Sequence, residues 1–304
     1  MTTTHRVTNE HELLARFGAC PACGAALAVG DVVACHGCGV AYPRVGQRFD
    51  LRLRAPKRVT VSLEVGEGVP VAAGLNLGPL PMGTSSIDFT SAAVPRHLSP
   101  EILSHIPPPS TPGAIALDLG CGDGSHRGVI ETAGYRYFGV DYAAEGAPFL
   151  ADAHALPLRD GVVDFALSIA VLEHIRYPLV MMNEVFRVLR PGGTFIGTVA
   201  FLEPFHSNSY THHTHLGTLS ALTTPGFDVQ HVSPSPAWQV LRAQAKNGLF
   251  PGLPRQAAMA LVRPLDGLHT LLWRVASLRH PGLTEQHRLQ KLAGAFRFVA
   301  RKPL

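Results

Sequence analysis

The sequence predicts an α/β fold: a doubly wound sheet of seven strands with a small cysteine-bearing ribbon ahead of it. Three observations lead there. The apolar run Ile115 to Leu119 ends in Gly120-x-Gly122-x-Gly124, the pattern of a buried parallel strand passing into a ligand loop. Six further strand-like runs follow, near 135–140, 149–153, 162–169, 194–200, 226–232 and 296–300, with helix-like stretches between several of them. Before them, Cys20-x-x-Cys23 and Cys35-x-x-Cys38 stand eleven residues apart.

Composition bounds the reading. The 304 residues are 46% apolar, enough for a packed core in one good-sized domain and a small one. The net charge of +4 is uneven: residues 1–60 sum to +4, residues 61–230 to −9 and residues 231–304 to +9. An acidic middle suits a cationic ligand, and basic ends suit anionic surfaces; the alternative for the tail is a solvated basic helical face. The first twelve residues are polar and hold no apolar core of a secretory signal, and no apolar run is long enough to span a bilayer. Paired cysteine spacing argues for metal over disulfides and for a reducing cytoplasm.

In chain order, residues 15–55 form the ribbon. Each C-x-x-C turn presents two thiolates to one tetrahedral ion, so Cys20, Cys23, Cys35 and Cys38 are the expected zinc ligands. Four thiolates close the shell and leave no place for water, which favours a structural metal. Removing it is expected to unfold the ribbon and leave the remaining core folded. A thioredoxin-like redox use would need a βαβ context that is missing around these cysteines. Residues 56–110 are rich in Pro, Gly, Ser and Thr and read as a linker or a lid, with one short helix over 100–106.

Residues 111–304 form the main domain. Ser125 stands where the dinucleotide fingerprint G-x-G-x-x-G needs glycine. Asp118, two residues before the first glycine, would oppose a pyrophosphate and suits an ammonium or sulfonium group. A second strand ends at Asp141, 21 residues past Gly120. An acid at that distance hydrogen-bonds ribose hydroxyls in nucleoside-binding α/β folds. Leu179, Met182, Val185, Phe186 and Leu189 share one face of a later helix, which Pro191-Gly192-Gly193 should end. Residues 238–293 read as a helical insertion before the last strand.

From Ile115 to Gly124, and on through Asp141, Asp152 and Leu172-Glu173-His174, the chain resembles the class I S-adenosylmethionine (SAM) dependent methyltransferases, in particular the type 11 group. The resemblance implies a Rossmann-like sheet with SAM held by Asp118, Gly120, Cys121, Gly122, Gly124, Asp141, Asp152, Ala153 and Ser168. Asp152 would then meet the adenine amino group and the Ala153 N–H a ring nitrogen. His174 either serves as a base or orders its loop. The ribbon, Cys20 to Pro43, is similar to that of the small partner proteins of RNA and protein methyltransferases, and to that of some ribosomal-RNA guanine methyltransferases.

After the fifth strand, four histidines fall within His206 to His215. This loop overhangs the ligand end of such a sheet. An oxygen nucleophile benefits from a base near neutral pKa, so His206, Tyr210 and His212 are the catalytic candidates, with Glu203 behind them. A second metal site and a solvated loop without chemistry are the alternatives.

In the tail, Leu265, Leu268, Leu271, Leu272 and Val275 form an apolar stripe near Arg263 and Arg274. It reads as a core-packing or substrate-cap helix pair, as a peripheral membrane contact through the basic C-terminal helices, or as a nucleic-acid surface. The expected function is SAM-dependent methyl transfer to a small-molecule or saccharide acceptor, at oxygen, in the cytoplasm. The alternatives are an RNA methyltransferase docking through its ribbon and a non-catalytic SAM-binding partner protein. Against RNA, the Asn/Asp-Pro-Pro-Phe/Tyr run of many amino-nitrogen methyltransferases is replaced by Ser168-Ile169-Ala170-Val171.

Overall fold

The computed structural model describes residues 3–63, 77–203 and 208–304. Helix α1 (Thr3–Phe17) opens the chain. Next come the short strands β1 (Leu27–Ala28), β2 (Val33–Cys35), β3 (Ala41–Tyr42), β4 (Arg44–Val45) and β5 (Arg48–Asp50). Helix α2 (Pro100–Leu103) precedes β6 (Ile115–Leu119), α3 (Arg127–Thr132), β7 (Arg136–Asp141), β8 (Phe149–Leu150) and β9 (Val163–Ile169). A 3₁₀ turn at Leu172–His174 leads to α4 (Pro178–Val188), β10 (Leu189–Ala200), α5 (His215–Thr223) and β11 (Asp228–Pro234). Helices α6 (Val240–Lys246), α7 (Arg255–Arg279) and α8 (Glu285–Leu292) come before β12 (Ala295–Arg301).

The main sheet has nine strands in the order β11-β12-β10-β9-β6-β7-β8-β5-β4, and β1-β2-β3 form a separate sheet. The seven expected strands are its first seven. The other two come from residues 44–50, which sequence reasoning left inside the ribbon: β5 pairs parallel with β8, setting Phe49 beside Phe149. Strands β6, β7, β8, β9 and β10 run parallel, and β12 is antiparallel to both its neighbours. The carboxyl ends of β6, β7 and β8 therefore lie side by side.

Apolar residues fill both faces of the sheet. One cluster joins Leu13, Leu14, Val33 and Tyr42 to Phe138, Phe149, Leu156, Leu158 and α4. Phe138 stacks on Phe149 at 4.2 Å, a geometry that contributes beyond area burial. The other cluster sets Leu80, Leu98, Ile102 and Ile106 against Val129, Ile130 and Phe165, so residues 80–106 pack on the sheet. Two boundaries differ from expectation. Helix α4 ends at Val188, and Pro191-Gly192-Gly193 lies within β10, where the pairing with β9 shifts register between Leu189 and Thr194. Here pairing partners, not propensity, set the strand's start.

Candidate active site

Strand β6 is buried at all five positions. Beyond it the chain turns at Gly120, whose φ is 70° and where an added Cβ would lie 2.4 Å from Cγ2 of Val171. Only glycine accepts both conditions. Gly122 also has positive φ, at 54°, but a Cβ there would meet nothing within 4 Å. Its backbone faces open space, the condition a closely approaching ligand requires. The Gly122 N–H donates to Oδ2 of Asp141 at 3.1 Å. Cys121 is buried in this loop, and burial pushes its thiol up to about 12, so it stays a neutral packing group.

Asp141 closes β7 and is half-buried. Its Oδ1 accepts from the N–H groups of Ala143 and Ala144, both at 3.0 Å. Three backbone donors thus fix the carboxylate and tie it to the glycine loop, while its remaining lone pairs stay available to a diol. Asp152 lies two residues past β8. Its Oδ1 accepts from the His154 N–H at 2.9 Å and from His154 Nδ1 at 2.6 Å. His154 Nε2 in turn accepts from the Tyr177 N–H at 3.1 Å, which fixes its tautomer. Burial raises the Asp152 pKa, but the His154 hydrogen bonds outweigh it and the net shift is downward. Ala153 follows, half-buried, and Ser168 is buried on β9 opposite Gly197.

Asp118 lies deeper than the sequence suggested. It is 0% exposed, accepting from Tyr137 Oη at 2.9 Å and His126 Nδ1 at 3.0 Å. A carboxylate inside a buried strand requires such donors. Burial, then the Asp118 charge, pushes the Tyr137 hydroxyl far above its ordinary range, so it remains a donor. His126 Nε2 also meets His97 Nε2 at 2.7 Å. The acid thus braces the glycine loop from behind, through a network reaching the 77–106 segment.

The opposite side of the site begins where β9 ends. Ala170 holds a φ of 54°, and its N–H donates to Thr198. A non-glycine residue in the left-handed region costs free energy that surrounding contacts must offset, and such residues concentrate at functional sites. Glu173 is 1% exposed, with Oε2 unpartnered among the described residues. Its carbonyl accepts from the Tyr210 N–H at 2.8 Å, so the histidine loop is tied directly over it. Burial raises its pKa. Sequence reasoning passed over Glu173 in favour of its neighbour; the available signal was an acid directly after the apolar run Ala170-Val171-Leu172. His174 Nδ1 donates to the Asn208 carbonyl at 3.2 Å and so helps hold the loop.

His206 lies outside the described residues. Tyr210 and His212 are both exposed, so the described side chains bring neither into the buried site. Among the described residues, the buried imidazole of the loop is His213, 8% exposed, with Nε2 3.0 Å from Thr211 Oγ1 and its pKa lowered by burial. Glu203 is also buried and accepts from Trp238 Nε1 at 2.5 Å and Asn247 Nδ2 at 3.2 Å, which anchors the C-terminal helices to the site's rim.

Glu173 yields a test of its own. A raised carboxyl pKa means the fold favours the neutral form. That contribution is fully present at acid pH and is lost as pH climbs through the raised value. Glu173→Gln is therefore expected to raise the melting temperature at pH 8 by roughly 2–4 °C, with the difference vanishing toward pH 4. Thermal unfolding across that range checks it, and a pH-independent difference would refute the buried-charge account.

In the ribbon, the four sulfur atoms of Cys20, Cys23, Cys35 and Cys38 all lie within 4.8 Å of one another. Zinc–sulfur bonds of about 2.3 Å in a tetrahedron need sulfurs roughly 3.8 Å apart, and the Cys20–Cys38 and Cys23–Cys35 pairs stand at 3.8 and 3.4 Å. The Gly37 and Cys38 N–H groups donate to Cys35 Sγ at 3.3 and 3.4 Å, and Tyr42 Oη stands 3.1 Å from Cys20 Sγ. The donor set fits zinc.

Fold and site together define a nucleoside-binding α/β domain: a glycine loop, an acid closing the adjacent strand, and a second acid beyond the next. Residues 117–197 match the family described as "Methyltransferase domain". An uncharacterised methyltransferase of Mycobacterium leprae is 37% identical over 127 residues, covering 36% of this chain and 46% of that one. An uncharacterised 37.1 kDa protein from a transposon of Streptomyces fradiae is 38% identical over 102 residues, covering 28% and 30%. Among solved structures, a complex of the Haloferax volcanii Trm112 methyltransferase activator with a putative methyltransferase aligns with a TM-score of 0.43 and 22% identity. It covers 66% of this chain and 87% of the matched one. The chain spans less than half the length of these two curated relatives. Residues 117–197 thus match a methyltransferase domain, and a four-cysteine cluster lies at its N-terminal side.

Proposed function

We propose that the chain transfers the methyl group of SAM to the oxygen of a small-molecule or saccharide acceptor, on the cytoplasmic side of the cell, with a structural zinc in its ribbon. The observation that carries the proposal is the Gly122–Asp141 hydrogen bond, which joins open loop backbone to a ribose-height carboxylate. SAM when bound supplies a methyl group on a sulfonium, already activated toward a nucleophile. The protein's task is then to orient and to take a proton.

Asp141 would hold the ribose hydroxyls and Asp152 the adenine edge, fixing the donor against β6. The acceptor would enter beneath the 208–213 loop. Bound SAM would supply the methyl carbon and keep the electron pair of its carbon–sulfur bond, while this chain's residues would orient the acceptor oxygen and take its proton at a base. Glu173 supports oxygen as the target, being a buried carboxyl group whose Oε2 is unpartnered among the described residues and whose main-chain carbonyl is bonded to the loop above it. His206 and His213 stand as further candidates on the loop.

The test is labelling from methyl-tritiated SAM, offered to a cell extract split into saccharides and small metabolites, RNA, and protein. We expect label in the first fraction, reduced at least ~100-fold by Glu173→Gln. Label in RNA would favour docking through the ribbon. No label in any fraction, with SAM still bound, would leave a SAM-binding scaffold and contradict the proposal.

A further inference from the structure

The C-terminal helices hold a second site, separate from the glycine loop. Helices α6, α7 and α8 border an open cavity of about 480 Å³ whose lining includes Arg242, Arg263, Asp266, Thr270, Arg274 and Arg288, with Arg263 and Arg274 exposed. Four guanidinium groups thus face one carboxylate. Arg242 Nε donates to Asp266 Oδ2 at 2.8 Å. Arg288 is held by Glu285 through two bonds of 2.7 and 2.6 Å. The Arg263 and Arg274 guanidinium groups form no hydrogen bond among the described residues. Two positive charges are left over, and guanidinium groups match phosphate oxygens in geometry as well as charge.

The outer face of α7 continues from this cavity. Leu261, Leu265, Leu268, Leu272 and Val275 recur at intervals of four and three and are 51–59% exposed. Leu278, at 83%, extends the face. Leu271 belongs to it at 58% and also lines the cavity. The stripe therefore faces outward, and core packing is not its role among the described residues. A continuous exposed apolar face of this kind marks an interaction surface.

We propose that α7 docks on an anionic phospholipid surface, with its leucine face in the acyl boundary and a lipid phosphate between Arg263 and Arg274. Charge chooses the occupant. A second copy of the chain would set one +9 segment against another, whereas a lipid bilayer presents phosphate and hydrocarbon in the order the cavity and the stripe present arginine and leucine. No helix among the described residues is long and apolar enough to cross a membrane, so the contact lies at the surface. This inference stands independently of the methyl-transfer reading.

The test is co-sedimentation of the zinc-loaded full chain with phosphatidylcholine vesicles, with and without about a third phosphatidylglycerol. The anionic vesicles should bind at least ~10-fold more tightly. Arg263→Glu with Arg274→Glu should remove that gain, and Leu268→Ser with Leu272→Ser should weaken binding by at least ~10-fold. Both double variants should keep the parent's melting temperature and SAM affinity. Equal partitioning to the two vesicle types would overturn the proposal. So would a dimer that the leucine variant dissociates in the absence of vesicle binding, or inorganic phosphate binding at the arginines with no vesicle binding.

Discussion

Asp141→Ala abolishes SAM binding as followed by calorimetry, a loss of at least ~100-fold, and leaves zinc content unchanged. Two hydrogen bonds to a charged acceptor are worth about 1.5–3 kcal/mol each, and the substitution would remove both of the proposed ribose contacts at once. It also removes the acceptor for the Gly122, Ala143 and Ala144 N–H groups, so the glycine loop loses its tether. Asp141→Asn separates the two effects. It retains one carbonyl acceptor and the side-chain volume, so the affinity should fall by about tenfold. An unaltered affinity in the alanine variant would overturn the placement of the nucleoside.

The second large effect is expected on removing zinc. Considered as a sequence, the ribbon should unfold alone. Its contacts argue otherwise. Val33 and Tyr42 share one apolar cluster with Phe149, Leu156 and Leu158. The Ala19 N–H donates to the Pro157 carbonyl at 3.2 Å, and the Arg159 N–H to the Phe17 carbonyl at 2.9 Å. Arg159 Nε donates to Gly18 O at 3.1 Å. These bonds hold the 152–159 segment that carries Asp152. Chelation, or Cys20→Ser with Cys38→Ser, should therefore lower SAM affinity by at least ~10-fold and lower the melting temperature together. Titration before and after chelation, with zinc restored as the control, measures it. A metal-free chain with full affinity would show that ribbon and cofactor segment are independent.

The parallel strands were legible as short apolar runs, two of them closed by glycine or an acid, as in Ile115 to Gly124 and Arg136 to Asp141. The order of the strands was not read from the sequence, because it depends on pairing between distant segments. Other features left weaker signals. Helix α1 is largely polar, and Leu13 and Leu14 near its end are its buried anchors, so no periodicity announced it. Strand β5 spans three residues, too few for alternation to register, and its place depends on β8. Glu173 was obscured because burial is a tertiary property that one acid after an apolar run does not reveal. For α7, periodicity showed which leucines share a face but not what covers that face.

In the proposed function the glycine loop, Asp141 and Asp152 hold SAM. Titrating SAM into the zinc-loaded full chain by calorimetry tests it most directly. One SAM per chain should bind saturably, be competed by S-adenosylhomocysteine and be lost in Asp141→Ala. A folded, zinc-loaded chain that takes up no SAM would contradict it.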